Sequence, residues 1–388
     1  MNIARFSSKW WWPVFWWGSL LGLAFLFSRS KSVTITQAQE NPIPRSPIVT
    51  KMLEEIKESD LFSYTGYLSG KFPIILNGQS LKLETRNQLS SDSILKATQY
   101  VYEFMQAQGL ATSYQNWNGI DEDGNKLAGR NVVGEITGTV RSSEVVLIVA
   151  HLDSMPEGNL SPGADDNASG SVGVMVAAAK LAGHKFERTL RFIFFTGEEY
   201  DQLGSVAYAK ASKEKNENLV AVYNMDMIAN DRINSEYNGV VFLETRYVTN
   251  TESAKDLALA NVFTQVVKLY QIPLVPKIDA NSDSEVDSRA FWDLGYPSVT
   301  AIEYFNEDEN EFYHTVDDTM ANLNFPFFTS FVKASVGTVA HLAVPVAAEA
   351  TARYLYLPAI LKASATATLT GATKFKGPHG KPQVALLP

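Results

Sequence analysis

Residues 144–150 read EVVLIVA, residues 190–195 read LRFIFF and residues 219–225 read LVAVYNM. A strand with one solvated face alternates apolar and polar positions. Near-continuous apolar runs of this length instead predict strands covered on both faces. Between them the period changes. After Ser93, the residues Ile94, Ala97, Val101, Phe104 and Met105 recur at helical spacing, and Gly109 closes the helix as a left-handed cap. A strand start is predicted at Arg130, a small-residue helix over 168–183, a further helix over about 202–212 and a long last helix over about 326–348. Strands and helices in alternation, with the strands doubly covered, predict an α/β fold: a three-layer α/β/α sandwich around a mostly parallel mixed sheet. No internal repeat is visible.

The amino-terminal stretch follows a different pattern. Residues 10–27 are almost wholly apolar and carry five of the seven tryptophans, Trp10, Trp11, Trp12, Trp16 and Trp17. Arg5 and Lys9 precede the run, and Arg29 and Lys31 follow it. It is longer than the roughly 7–15 residues of a signal-peptide core and slightly shorter than the roughly 20 that span a bilayer upright. It has no polar face, which argues against a buried core helix. Residues 1–31 are therefore expected to be a signal peptide or membrane anchor, with a weak cleavage signal at Thr36, Gln37 and Ala38. That places the body in the periplasm, outside the cell, or anchored outside the cytoplasm. Residues 32–48 read as a Ser/Thr/Gln/Pro linker and 49–348 as the folded domain. Residues 349–388 read as a low-complexity tail, expected to be partly loose.

Charge and composition narrow the chemistry. With 33 Lys+Arg against 42 Asp+Glu the net charge is −9, and no basic stripe is present for nucleic acid. The absence of cysteine excludes disulfide scaffolds, thiol nucleophiles, iron–sulfur clusters and cysteine-ligated zinc. Any metal must be held by Asp, Glu and the five histidines, His151, His184, His314, His341 and His379.

Charged residues then appear where the apolar strands stop. EVVLIVA runs into His151 and Asp153, LRFIFF into Glu198 and Glu199, and LVAVYNM into Asp226. In parallel α/β sheets the carboxyl edge is where ligand sites form. Four carboxylates and an imidazole gathered there need a cation to be tolerated. The run Gly163, Ala164, Asp165, Asp166, Asn167 is an acidic turn at the amino end of the 168–183 helix. His314 arrives much later, with Tyr313 before it and Asp317 and Asp318 after it. Two imidazoles and at least three carboxylates suit two zinc ions, each with one His, one terminal carboxylate and a shared bridging carboxylate. Of Glu198 and Glu199, one can ligate while its neighbour stays free as general base. Asp153, two residues past His151, is placed to accept the other ring proton. Spacing does not decide whether Asp165 or Asp166 bridges.

Each piece alone has an ordinary explanation: a structural His, a solvated Glu pair, an Asp/Asn/Gly turn. Their order, at successive strand ends, makes them a site. His184 reads as a helix-end cap, while His341 and His379 lie away from the cluster. Asp317 and Asp318 read as loop and helix-start residues, and Asn167 as a turn hydrogen bond.

The motifs His-x-Asp, Gly-x-Asp-Asp-x-x-Ser-Gly, Glu-Glu, an Asp at a strand end and a late His-Thr-x-x-Asp-Thr resemble the M28 family of dizinc peptidases over about residues 86–345. Its members include secreted bacterial aminopeptidases. The resemblance implies that His151 and Asp226 hold one zinc, that Glu199 and His314 hold the other, and that Asp166 bridges. It implies Glu198 as the catalytic base acting on a water between the ions, and Tyr313 as a stabiliser of the tetrahedral intermediate. Two Zn2+ per chain, peptide substrates and exopeptidase activity, foremost aminopeptidase, follow from it. All five ligand positions are filled, which favours hydrolysis over a one-zinc glutaminyl cyclase. That aminoacyltransferase reading, a carboxypeptidase or dipeptidase on the same metal site, and a membrane-tethered binding module are the alternatives. An aminopeptidase needs an anchor for the substrate's free amine, and Asp283, Glu285 and Asp287 are the candidates.

Overall fold

The computed structural model describes residues 42–232, 235–280, 284–305 and 310–347. The apolar segment at 10–27 and the low-complexity tail lie outside these residues. No helix among the described residues is long and apolar enough to cross a membrane.

Eight strands form one sheet: β3 (Ala111–Ile120), β4 (Lys126–Ile136), β5 (Arg141–His151), β6 (Arg188–Phe195), β7 (Asn218–Asp226), β8 (Val240–Glu244), β9 (Val275–Asp279) and β10 (Ser298–Glu303). Their spatial order is β3-β4-β6-β5-β7-β10-β8-β9. The middle of the sheet, β6-β5-β7-β10, is parallel, whereas β4 runs antiparallel to β6, β3 to β4 and β8 to β10. A short hairpin, β1 (Ile74–Leu76) and β2 (Gln79–Leu81), stands apart.

The apolar runs serve two cores at once. Successive side chains on a strand point to opposite faces, so Val146, Ile148 and Ala150 of β5 enter one cluster while Val145, Leu147 and Val149 enter the other. The first face is covered by α1 (Pro47–Glu54), α2 (Glu58–Leu68), α3 (Ser91–Ala107), α4 (Ala168–Leu181), α6 (Ser253–Tyr270) and α8 (Phe325–Ala343). The second is covered by α5 (Leu203–Glu214) and α7 (Ser288–Trp292). The fold is thus the three-layer α/β/α sandwich that the sequence predicts.

Three boundaries differ most from the sequence reading. Strand β4 begins at Lys126 rather than Arg130, because residues 126–129 pair with β3. Helix α1 begins at Pro47, inside the segment read as linker, because Ser46 caps it by accepting from Val49 N and proline suits a first turn. Ile43 N also donates to Gln265 Oε1 at 2.9 Å, docking the approach to α1 onto α6. Helix α8 stops at Ala343 rather than near 348, since Val344 turns to φ 62° and Pro345 follows, pairing with Phe186.

Helix α4 brings the acidic turn against the sheet. Twelve of its fourteen residues are buried, and most are small. A Cβ on Gly170 would sit 2.3 Å from both Asn167 Oδ1 and Met225 O, so only glycine admits this approach of helix to strand.

Candidate metal centre

Because β5, β6, β7 and β10 are parallel, their carboxyl ends share one edge. His151 ends β5, Asp226 ends β7, Glu303 ends β10, and Glu198 and Glu199 follow the end of β6. Asp166 stands at the amino end of α4. Its orientation is set from the late loop: Asp318 accepts from Asp165 N at 2.9 Å and from Asp166 N at 3.0 Å. Asn167 caps α4 by accepting from Gly170 N, and donates to Met225 O, the residue before Asp226. His314 adopts φ 56°, a left-handed backbone that non-glycine residues adopt at a cost.

The side chains converge on Asp166. Its Oδ1 lies 3.3 Å from His151 Nε2, and its Oδ2 lies 3.2 Å from His314 Nε2. His151 Nε2 is also 3.3 Å from Asp226 Oδ1, and His314 Nε2 is 2.9 Å from Glu199 Oε2. Two triads therefore share one carboxylate. Glu198 stands outside both, its Oε2 4.0 Å from His151 Nε2. Of the consecutive acids, Asp166 faces the histidines. Asp165 turns away, accepting from Ala229 N at 3.0 Å and Asn310 Nδ2 at 2.8 Å.

Asp153 departs from its sequence-based placement. Its Oδ1 is 3.7 Å from His151 Nδ1, beyond hydrogen-bond distance. Its two oxygens instead accept from Glu198 N and Glu199 N, each at 3.3 Å. Because β5 and β6 end side by side, with His151 opposite Phe195, the carboxylate two residues past β5 meets the amides just past β6. Asp153 thus positions the Glu pair.

Burial sets the electrostatics. His151 is held well above 6.5: burial opposes its charge, but Asp226 and Glu198 outweigh it. His314 rises to about 10, against burial, through Asp166 and Glu199. Burial pushes Glu199 up to about 7, with Asp166 adding and His314 opposing. Burial also holds Glu198 well above 4.5, with His151 opposing and Asp287 and Asp226 adding. Asp166 moves the other way, because both imidazoles overcome its burial. Tyr313 stacks on His314 with ring centroids 3.7 Å apart, and burial together with the surrounding acids raises its hydroxyl, so that it stays a donor.

This donor set fits metal. Five buried carboxyls face two imidazoles, and protons alone leave the arrangement poorly satisfied. His151 Nδ1 and Glu199 Oε1 are buried with no hydrogen-bond partner, and His314 Nε2, although 2.9 Å from Glu199 Oε2, is not aligned for a hydrogen bond to it. One donor atom from each of His151, Asp166 and Glu199 lies within 4.8 Å of the others. Oxygen and imidazole lone pairs aimed at common points suit a divalent ion.

The remaining candidates are not in this cluster. Asp283 lies outside the described residues, Glu285 is exposed, and Asp287 is buried where its charge acts on Glu198. His341 bonds Tyr270 Oη at 2.9 Å on α8, and Asp317 is exposed. Sequence reading missed Asp318 as the clamp of the Asp166 turn. It also missed Glu303, fully buried at the end of β10, whose Oε2 accepts from Asn230 N at 2.6 Å. Two adjacent acids three and four residues past His314 were the available sign of Asp318. Glu303 carries the same sign as Asp226, an acid where a mostly apolar run stops, but the run 298–302 is short and interrupted by Thr300, so β10 does not read as a strand.

The profile of Peptidase family M28 matches residues 131–338. A probable leucine aminopeptidase of Trichophyton verrucosum is 28% identical over 234 residues, which is 58% of this chain and 60% of that protein. The chain thus spans less than two thirds of that relative's length. Among solved structures, the LapA aminopeptidase of Legionella pneumophila superposes with TM-score 0.62 at 20% identity, covering 79% of this chain and 78% of that one. BSAP, a zinc aminopeptidase from Bacillus subtilis, gives 0.61 at 14% identity, covering 76% and 97%. A glutaminyl cyclase of Bacteroides thetaiotaomicron gives 0.60 at 15% identity, covering 73% and 97%. These likenesses establish a shared fold.

Proposed function

Since this chain belongs to peptidase family M28, we propose that it is a zinc-dependent exopeptidase, specifically an aminopeptidase releasing amino-terminal residues from peptides. The observation that carries the reading is Asp166, whose two oxygens each face a different histidine within 3.3 Å. His151 and Asp226 would hold one Zn2+, Glu199 and His314 a second, and Asp166 both. When bound, zinc supplies Lewis acidity that polarises the scissile carbonyl and makes water a nucleophile at neutral pH.

The chain's own residues supply the rest. Glu198, outside both triads, takes the proton of the attacking water and delivers it to the leaving amine. Asp153, through the amides of Glu198 and Glu199, keeps base and ligand side by side. Tyr313, held against His314, donates its hydroxyl proton toward the developing oxyanion. The apolar segment at 10–27 supports export or membrane anchoring of this activity.

The test is metal analysis with hydrolysis of free and amino-blocked peptides, with and without chelator. Two Zn2+ per chain, cleavage of free peptides only, and loss of activity with chelator are expected. Release of carboxyl-terminal residues from blocked peptides would overturn the aminopeptidase assignment. The cyclase reading is kept because a glutaminyl cyclase shares the fold at TM-score 0.60. One zinc per chain and ammonia release from amino-terminal Gln peptides would establish it instead.

A further inference from the structure

Arg86 is the largest fully buried side chain of the described residues. Its hydrogen bonds go to backbone carbonyls and to no carboxylate. Nε donates to Leu152 O at 2.8 Å, one Nη to Leu68 O and Pro162 O, both at 2.7 Å, and the other Nη to Gly163 O at 2.9 Å. Leu152 lies between His151 and Asp153. Pro162 and Gly163 lead into Asp165 and Asp166. One guanidinium therefore grips both chain segments that carry the first ligands, and ties them to the end of α2.

Its neighbours make the same connection. Arg86 N donates to Ser154 Oγ at 3.3 Å, Asn87 Nδ2 to Ser154 O at 3.1 Å, and Ser161 N to Glu84 O at 2.8 Å. Ser154 Oγ lies 2.9 Å from Ser161 Oγ, closing the loop between the two segments. Gly163 has φ 46°, and a Cβ on it would stand 2.3 Å from Asp166 O and 2.6 Å from Ser154 Cβ, which explains a glycine where the two segments meet.

A buried cation without a paired carboxylate is costly. Burial lowers Arg86 to about 10, and the charges of Asp318, Asp166, Asp153 and Glu199 oppose that shift, so it remains charged at neutral pH. It therefore offsets part of the negative charge of the acid cluster as well as fixing its geometry. Those two effects act oppositely on a bound cation: the charge repels it, whereas the geometry favours it.

We propose that Arg86 is a positioning residue that holds the His151–Asp153 segment and the Asp165–Asp166 turn at ligand spacing before any ion binds. This rests on the metal-site reading above. Lysine keeps the charge but replaces a five-donor planar fork by three donors on a point, so it isolates the geometric effect.

The experiment compares the full chain with Arg86→Lys, using Zn2+ alone in competition with a chromophoric chelator, and amide hydrogen exchange of the metal-free proteins. The expected result is zinc affinity lower by about 10–100-fold, the range for lost outer support of ligands. Exchange should accelerate together at residues 152–154 and 161–166 while α6 and α8 keep wild-type rates. Wild-type zinc affinity, or acceleration spread evenly over the protein, would overturn the proposal. So would an Arg86→Lys chain that fails to fold even with zinc, which would make Arg86 a folding residue only. A wild-type chain that binds no Zn2+ would instead remove the metal-site reading, and the exchange data would still judge the tether.

Discussion

Glu198 and Glu199 are adjacent in sequence and different in circumstance. Glu199 Oε2 lies 2.9 Å from His314 Nε2, while Glu198 reaches no closer than 4.0 Å to His151 Nε2. Replacing Glu198 by Gln removes a proton acceptor without touching either triad. Glu198→Gln is expected to keep the zinc content and lower kcat by about 10²–10⁴-fold, the usual weight of a general base. Metal analysis beside steady-state kinetics checks this, and near-normal turnover would remove the base assignment. Glu303 offers a test through pH. Burial, with Asp165 adding, holds its carboxyl well above 4.5, so in the folded protein it stays protonated where the unfolded chain has ionised. Its stabilising contribution is therefore full below 4.5 and is lost as pH rises through the raised folded value. Glu303→Gln keeps an acceptor for Asn230 N and a donor toward Asp165 without a titrating proton. Urea unfolding of the metal-free proteins over a pH series should show the variant losing less stability than wild type as pH rises from 4.5. Parallel curves would refute the protonated assignment.

At the scale of elements, the helix beginning near Ser93 forms as α3 over Ser91–Ala107, with Gly109 at φ 81°. The three apolar runs form as β5, β6 and β7 because burial on both faces leaves an unambiguous trace. Strand β3 left no such trace: it is an edge strand whose only buried residue is Trp117, so its TSYQNWNG run reads as polar loop. Helix α6 escaped as well, because its amphipathic pattern is broken by interspersed small and polar residues. The α4–β7 approach gives the prediction at this scale. Gly170→Ala would place a methyl 2.3 Å from Met225 O and Asn167 Oδ1, disturbing the strand residue just before Asp226. Overpacking of this kind costs about 1–3 kcal/mol, measurable as a lower urea midpoint of the metal-free protein. An unchanged midpoint would mean that the helix moves away freely.

Across the molecule, the acid cluster opposes folding until it is neutralised, so zinc and stability should be linked. An ion that binds the native state alone adds about 2.7 kcal/mol per site when free metal is 100-fold above Kd. Thermal unfolding should rise by several degrees with zinc and fall on chelation, and a Tm indifferent to both would contradict a metal-filled centre. The sequence by itself determined the layered fold, because doubly buried strands must be apolar throughout. It also placed ionisable residues at successive strand ends, where a parallel sheet gathers its ligands. Residue types and order carry that much. Only the tertiary structure decided which of Asp165 and Asp166 faces the histidines, that Asp153 serves the amides of the Glu pair, and that Asp318 and Arg86 brace the turn. Each of those roles depends on hydrogen bonds between segments dozens to more than a hundred residues apart, and a bond's partner is set by where the chain returns in space.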